Sequence, residues 1–251
     1  MSTSTSARNN LDVWLQDLER FLNLMNTFWN SRQVSDLRSK FALGGRQKAN
    51  VRGAILTGYA YVNQAVMFRR HGAHVSPRNL TQGTFILKLY AERPHSRYDA
   101  SFFEVDAGGR RYLFLANIYS GPRPLNINLD IALIDPVNWY LHNRVGKLYV
   151  IFFTECKYSR VYPQTYGAVT GQRYLTKSGS RYADIRDALI TAHDATTSVN
   201  STSAYVWRVI QGVSQGRVRK YDPVLITNVR PTNNQWYQKI DTLINAVIQM
   251  I

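Results

Sequence analysis

Glu155, Cys156 and Lys157 close the stretch KLYVIFFTECKYSR, residues 147–160, in which an apolar and aromatic run passes without a turn residue into an acid and a base. Asp130 stands near the start of a second apolar stretch, NLDIALID, residues 128–135. Suppose the two stretches are neighbouring antiparallel strands, joined by a connection of about a dozen residues. The start of the first then lies beside the end of the second, and Asp130 meets Glu155 and Lys157. Strand alternation places Glu155 and Lys157 on one face and Cys156 on the other. Two carboxylates, helped by a backbone carbonyl, are hard oxygen donors suited to Mg²⁺, with Mn²⁺ as its substitute. A cation there holds a phosphate oxygen and lowers the pKa of a bound water. Lys157 beside it orients the nucleophile and stabilises charge on phosphorus. Metal-assisted cleavage of a phosphate ester is the chemistry this trio could do. The competing reading is an ordinary salt bridge at a strand end. Asp135, the other acid of the first stretch, sits at its far end, on the wrong side of the sheet for this trio.

A polyanion has to reach such a trio, and the charge of the chain favours one. Lys and Arg number 31 against 16 Asp and Glu, a net charge of +15, which points to nucleic acid first and a membrane surface second. From Leu37 to Ala91 there is no carboxylate at all, and between Pro136 and Ala183 Glu155 is the sole acid. Arg46, Lys48 and Arg52 from the first tract, with Arg160, Arg173 and Lys177 from the second, are the candidates for phosphate contact. The solvated face of a basic protein is the plainer account of any one of them. Tyr158, Tyr162, Tyr166 and Tyr174, interleaved with Arg160 and Arg173, could stack on single-stranded bases, although core and surface alternation also produces that pattern.

Other chemistries are excluded or weakened. The single cysteine and the five histidines offer no disulfide framework and no zinc spacing. No apolar run is long enough to span a membrane, and the first ten residues have no apolar segment of a secretory signal, so a cytoplasmic location is expected.

The elements that must position the trio are legible as periodicities. Leu11, Trp14, Leu15, Leu18, Phe21, Leu22, Met25, Phe28 and Trp29 form one helical face. That stripe could be a homodimer seam, though packing on the chain's own core is commoner. A second helix runs from about Asn50 to Arg70 and is closed by Gly72. TFILKLYA, SFFEV, RRYLFLANIY, NLDIALID and KLYVIFFTE read as successive strands, mostly antiparallel, with turns at Ala107–Gly109 and Ser120–Pro124. YADIRDALITAH and AYVWRVIQGV read as helices, PVLITNV as a strand, and the stretch from Trp236 to Ile248 as a last helix. The expectation is an α/β fold: a disordered segment 1–10, a helical extension 11–48, and one domain 49–251 whose mixed sheet is covered on both sides.

An Asp opening one apolar strand, a second strand ending in Glu-x-Lys, an aromatic straight after Lys157 and flanking helices resemble the PD-(D/E)XK superfamily of restriction-endonuclease-like nucleases. The resemblance covers residues 50–251 in architecture, and its motif rests on Asp130, Glu155 and Lys157. It implies a restriction-endonuclease-like mixed β-sheet core flanked by helices, and a Mg²⁺-dependent endonuclease of restriction or defence type acting on double-stranded DNA. It implies further that Asp130, Glu155 and the backbone carbonyl of Cys156 hold the metal, and that Gln172, with Gln164 behind it, is a candidate for the Gln that several members carry on the helix after the Lys. Two departures support a runner-up, a nuclease-like fold that binds DNA or RNA without cutting. The helix GAILTGYAYVNQAV lacks the acid that many members place there, and Asn128 occupies the place of a second acid in the first motif.

Overall fold

The computed structural model describes residues 3–41, 43–79, 85, 87, 101–120, 127–136, 149–193 and 223–251. In chain order these form α1 (Thr3–Leu24), α2 (Arg32–Lys40), α3 (Lys48–Arg70), β1 (His74–Asn79), β2 (Ser101–Ala107), β3 (Arg110–Ser120) and β4 (Ile127–Ile134). There follow β5 (Val150–Lys157), α4 (Pro163–Lys177), β6 (Ala188–Thr191), β7 (Val224–Ile226) and α5 (Asn234–Met250). The expected strand TFILKLYA, apart from Phe85 and Leu87, and the expected helix AYVWRVIQGV lie outside the described residues.

The strands make one 7-stranded sheet in sequential order, antiparallel from β1 to β5 and parallel from β5 through β6 to β7. The β2–β3 hairpin turns on Gly108 and Gly109, with φ of 59° and 75°. A tight hairpin whose central residues both need positive φ selects glycine. Helices cover both faces. On one side α3 lies across the sheet beneath α1 and α5, and its residues from Ala54 to Phe68 are all buried. A helix buried all round has no solvated face for a carboxylate, which accounts for the missing acid in that segment. Tyr61 pins α3 to the sheet, donating from its hydroxyl to the Phe114 carbonyl at 2.6 Å, and Gln64 bonds Thr154 at 3.1 Å. On the other side α4 packs Tyr166 and Val169 against Leu129, Ala132 and Phe153.

Helix α1 begins at Thr3, ahead of the expected start at Leu11. Leu11, Leu18, Phe21 and Met25 are buried in the core that α3 and α5 share, so these members of the stripe pack within the chain, whereas the helix ends at Leu24 and Phe28 beyond it is exposed. The segment YADIRDALITAH departs from expectation. It forms turns and then the strand β6, not a helix. Ala188–Thr191 are buried on both faces of the sheet, and a short run apolar on every side has no period that separates strand from helix.

Candidate functional site

Pairing between β4 and β5 ends at Ile131 opposite Thr154. One step further would set Asp130 against Glu155, the juxtaposition expected from the hairpin geometry. There the two strands part. Asp130 fills the gap with its side chain, Oδ2 accepting from the Cys156 amide at 2.8 Å in place of a backbone carbonyl. The side chain is aimed by a kink shared with β3. Leu129 and Ala132 face α4 whereas Ile131 and Leu133 face α3, so alternation slips at Asp130. Its partner position on β3 is Asn117, which takes φ 53°, and the same slip separates Ala116 from Ile118. Because both strands slip together their register survives. Such irregularities re-aim side chains next to functional sites.

Alternation along β5 places Thr154 and Cys156 toward α3 and Glu155 and Lys157 toward α4, as expected. Lys157 donates from Nζ to Glu155 Oε1 at 2.5 Å. Its own side chain stays 39% exposed while that of Glu155 is only 6% exposed. Burial pushes the Glu155 carboxyl up to about 7; the charge of Asp130 adds to the shift, and Lys157 opposes it. Burial likewise raises Asp130, against Lys157 and the Cys156 amide. For Lys157, burial disfavours the ammonium, yet Glu155 and Asp130 together outweigh it and hold the group above its ordinary value. The Cys156 thiol is pushed well up, first by burial and then by the two carboxylates, which disfavours its thiolate.

The salt bridge of the competing reading is therefore present, but it leaves the cluster unbalanced. One ammonium faces two carboxylates, and Glu155 Oε2 is shielded from water with no hydrogen-bond partner. A hard divalent cation would offset that deficit, and Asp130 and Glu155, with the Cys156 carbonyl that the resemblance implies, are the groups that could hold it. Among the described residues no group of three or more His, Cys, Asp or Glu is arranged to hold a metal ion, so a cation held here would keep several water ligands.

The candidate phosphate contacts divide. Arg160 is exposed just beyond Lys157, and Arg46 and Lys48 are half-exposed. The Arg52 guanidinium lies 5.5 Å from the Tyr158 ring centre, and Lys48 Nζ 5.4 Å from that of Trp29. Arg173 and Lys177 do not belong to this surface. Both are fully buried against Asp187, Arg173 Nε at 2.6 Å and Lys177 Nζ at 2.8 Å. Asp187 also accepts from the Phe153 amide at 2.8 Å. Burial pushes Lys177 down to about 8, with Asp187 opposing. These two cations are structural because α4 turns that face onto β5 and β6, a choice that net charge cannot reveal. Gln172 stands half-buried on α4, its Oε1 shielded and without a partner, and Gln164 is exposed. Asn128 is exposed. Asp135 is engaged with Arg181 at 2.5 Å and with the Tyr182 hydroxyl at 3.0 Å, away from the trio.

Sequence reasoning passed over Asn117 and Asp187. An Asn inside the apolar run YLFLANIY was the available signal for the first, and nothing marked the second. Compared with known proteins, the chain matches no family model and no curated protein, so the nuclease resemblance rests on its own residues.

Proposed function

We propose that this chain is a metal-dependent DNA endonuclease of the PD-(D/E)XK type, hydrolysing phosphodiester bonds of double-stranded DNA. One observation carries the reading: Asp130 and Glu155 converge where β4 and β5 part, Lys157 beside them and Glu155 Oε2 buried without a partner. A bound Mg²⁺ supplies a polarised phosphate oxygen and a water of lowered pKa. The protein's part is to hold charges in place. Asp130, tied to the Cys156 amide, is a fixed donor, and Glu155 is oriented by Lys157. Lys157, half-exposed on its stem, reaches the side from which a phosphate arrives, where its ammonium stabilises developing negative charge. Arg52, Arg160, Arg46 and Lys48 bring the polyanion toward that end of the sheet.

Plasmid cleavage in Mg²⁺ or Mn²⁺ tests this. Asp130→Ala, Glu155→Ala and Lys157→Ala should each lower the rate by at least about a hundredfold while leaving DNA affinity nearly unchanged. A folded variant of any of the three that cuts at the wild-type rate refutes the assignment. The second reading, a nuclease-like fold that binds without cutting, is favoured by the acid-free α3, buried throughout Ala54–Phe68, and by the exposed Asn128. Metal-independent DNA binding with no cleavage in either cation would select it.

A further inference from the structure

Beyond Lys157 the chain enters a part of the molecule that the proposed reaction does not use. The C-terminal ends of the parallel strands β5, β6 and β7 meet the end of α1 around a cavity of ≈ 300 Å³. Its walls include Asn23, Asn26, Tyr158, His193, Arg230 and Thr232, and among the described residues no carboxylate lines it. Open α/β sheets bind ligands at the carboxyl ends of their parallel strands. This volume is at the small end for ligand sites, about 300–1,000 Å³.

The walls are tied together by hydrogen bonds and a ring contact. Tyr158 donates from its hydroxyl to Asn26 Oδ1 at 3.0 Å, and its ring meets the His193 ring edge-on with centres 5.5 Å apart. The loop after β7 turns at Asn228, φ 56°, and is pinned by Val229 donating to the Thr191 carbonyl at 3.0 Å. Trp236 Nε1 donates to the Arg230 carbonyl at 2.8 Å, and the Arg230 side chain is exposed. Asn23 and Asn26 each carry an amide donor and an acceptor, the pair that a base edge presents. The Tyr158 ring, which already carries Arg52 at 5.5 Å from its centre, and the His193 ring supply aromatic surface for a base, and Arg230 supplies a cation for a phosphate. The cavity also touches the catalytic strand directly. Ala192, in its wall, donates its amide to the Lys157 carbonyl at 3.4 Å, and Tyr158 follows Lys157 in sequence.

We propose that this cavity binds one unpaired nucleotide, base against Tyr158 and the two asparagines, phosphate toward Arg230. If the nuclease reading holds, that nucleotide is a neighbour of the scissile phosphate and the enzyme prefers DNA with an unpaired or extruded base. This last step rests on the nuclease reading; the binding itself does not.

The test uses the full chain in EDTA. Calorimetric titrations with each of the four 5′-deoxynucleoside monophosphates are compared with 2-deoxyribose 5-phosphate, which has the anion but no base. At least one nucleotide should bind roughly tenfold more tightly than the sugar phosphate. Asn23→Ala and Arg230→Ala should each erase at least about fivefold of its affinity without lowering the unfolding temperature. Equal affinity for nucleotide and sugar phosphate, absence of binding, or nucleotide binding untouched by both variants overturns the proposal. Cleavage is measured separately. Nucleotide binding that survives in a chain that does not cut supports the pocket and removes only the nuclease reading, whereas cutting without nucleotide binding removes only the pocket.

Discussion

Glu155 is held in a place that disfavours its charge. Burial, then Asp130, pushes its carboxyl from the ordinary 4.5 to about 7, and Asp130 is raised from 3.8 by the same burial. An acid raised on folding binds more protons folded than unfolded, so its contribution to stability is present below about 4.5 and lost as pH rises through about 7. The metal-free protein should therefore weaken across that window, by at most a few kcal/mol at about 1.4 kcal/mol per pK unit. Glu155→Gln keeps the shape and removes the charge. In EDTA it should be more stable than wild type at pH 8 and should lose most of that slope in urea unfolding; a variant less stable at pH 8 would contradict the electrostatics. A divalent cation relieves the same repulsion, so millimolar Mn²⁺ should raise the wild-type unfolding temperature more than that of Glu155→Gln. Monovalent salt at equal ionic strength is the control for screening.

Between elements, the strongest polar link among the described residues is the one that sequence reading assigned to the surface. Arg173 and Lys177, one turn apart on α4, enclose Asp187 at the entry to β6, and Asp187 also caps the Phe153 amide of β5. All three side chains are fully buried. Removing the anion strands two cations in the core, and breaking a buried pair costs about 3–5 kcal/mol. Asp187→Ala should lose stability on that scale in chemical denaturation, and its folded fraction should keep the wild-type salt dependence of DNA binding. A near-neutral Asp187→Ala would mean that the triad relaxes without loss. The link explains the position of Glu155 as well, since α4 and β6 are the elements between which β5 presents it.

At the scale of the whole molecule, the proposed polyanion partner would meet a net charge of +15, and the fold decides which cations are placed to take part. Arg46, Lys48, Arg52 and Arg160 are accessible, so Ala at each should reduce the log–log salt slope of DNA affinity by about one unit. Arg173→Met should leave that slope unchanged. Fluorescence anisotropy over a salt series separates the two groups, and a salt-insensitive affinity would exclude phosphate tracking altogether.

The trio was legible before the fold because Asp130, Glu155 and Lys157 lie on two long apolar strands, and alternation plus a short connection leaves one way to bring their ends together. α1, α3, α5 and the hairpin at Gly108 and Gly109 were legible for a related reason: helical period and positive φ are written in neighbouring residues. The strand β6, the inward turn of Arg173 and Lys177, and the kink at Asn117 and Asp130 were not. Each depends on which surface another element offers. A short run buried on both faces carries no period, a cation on a helix does not say which side meets the sheet, and a paired slip that preserves register leaves no mark on either strand alone. Local order follows from residues close in the chain, whereas burial and charge pairing follow from distant segments whose meeting only the folded molecule determines.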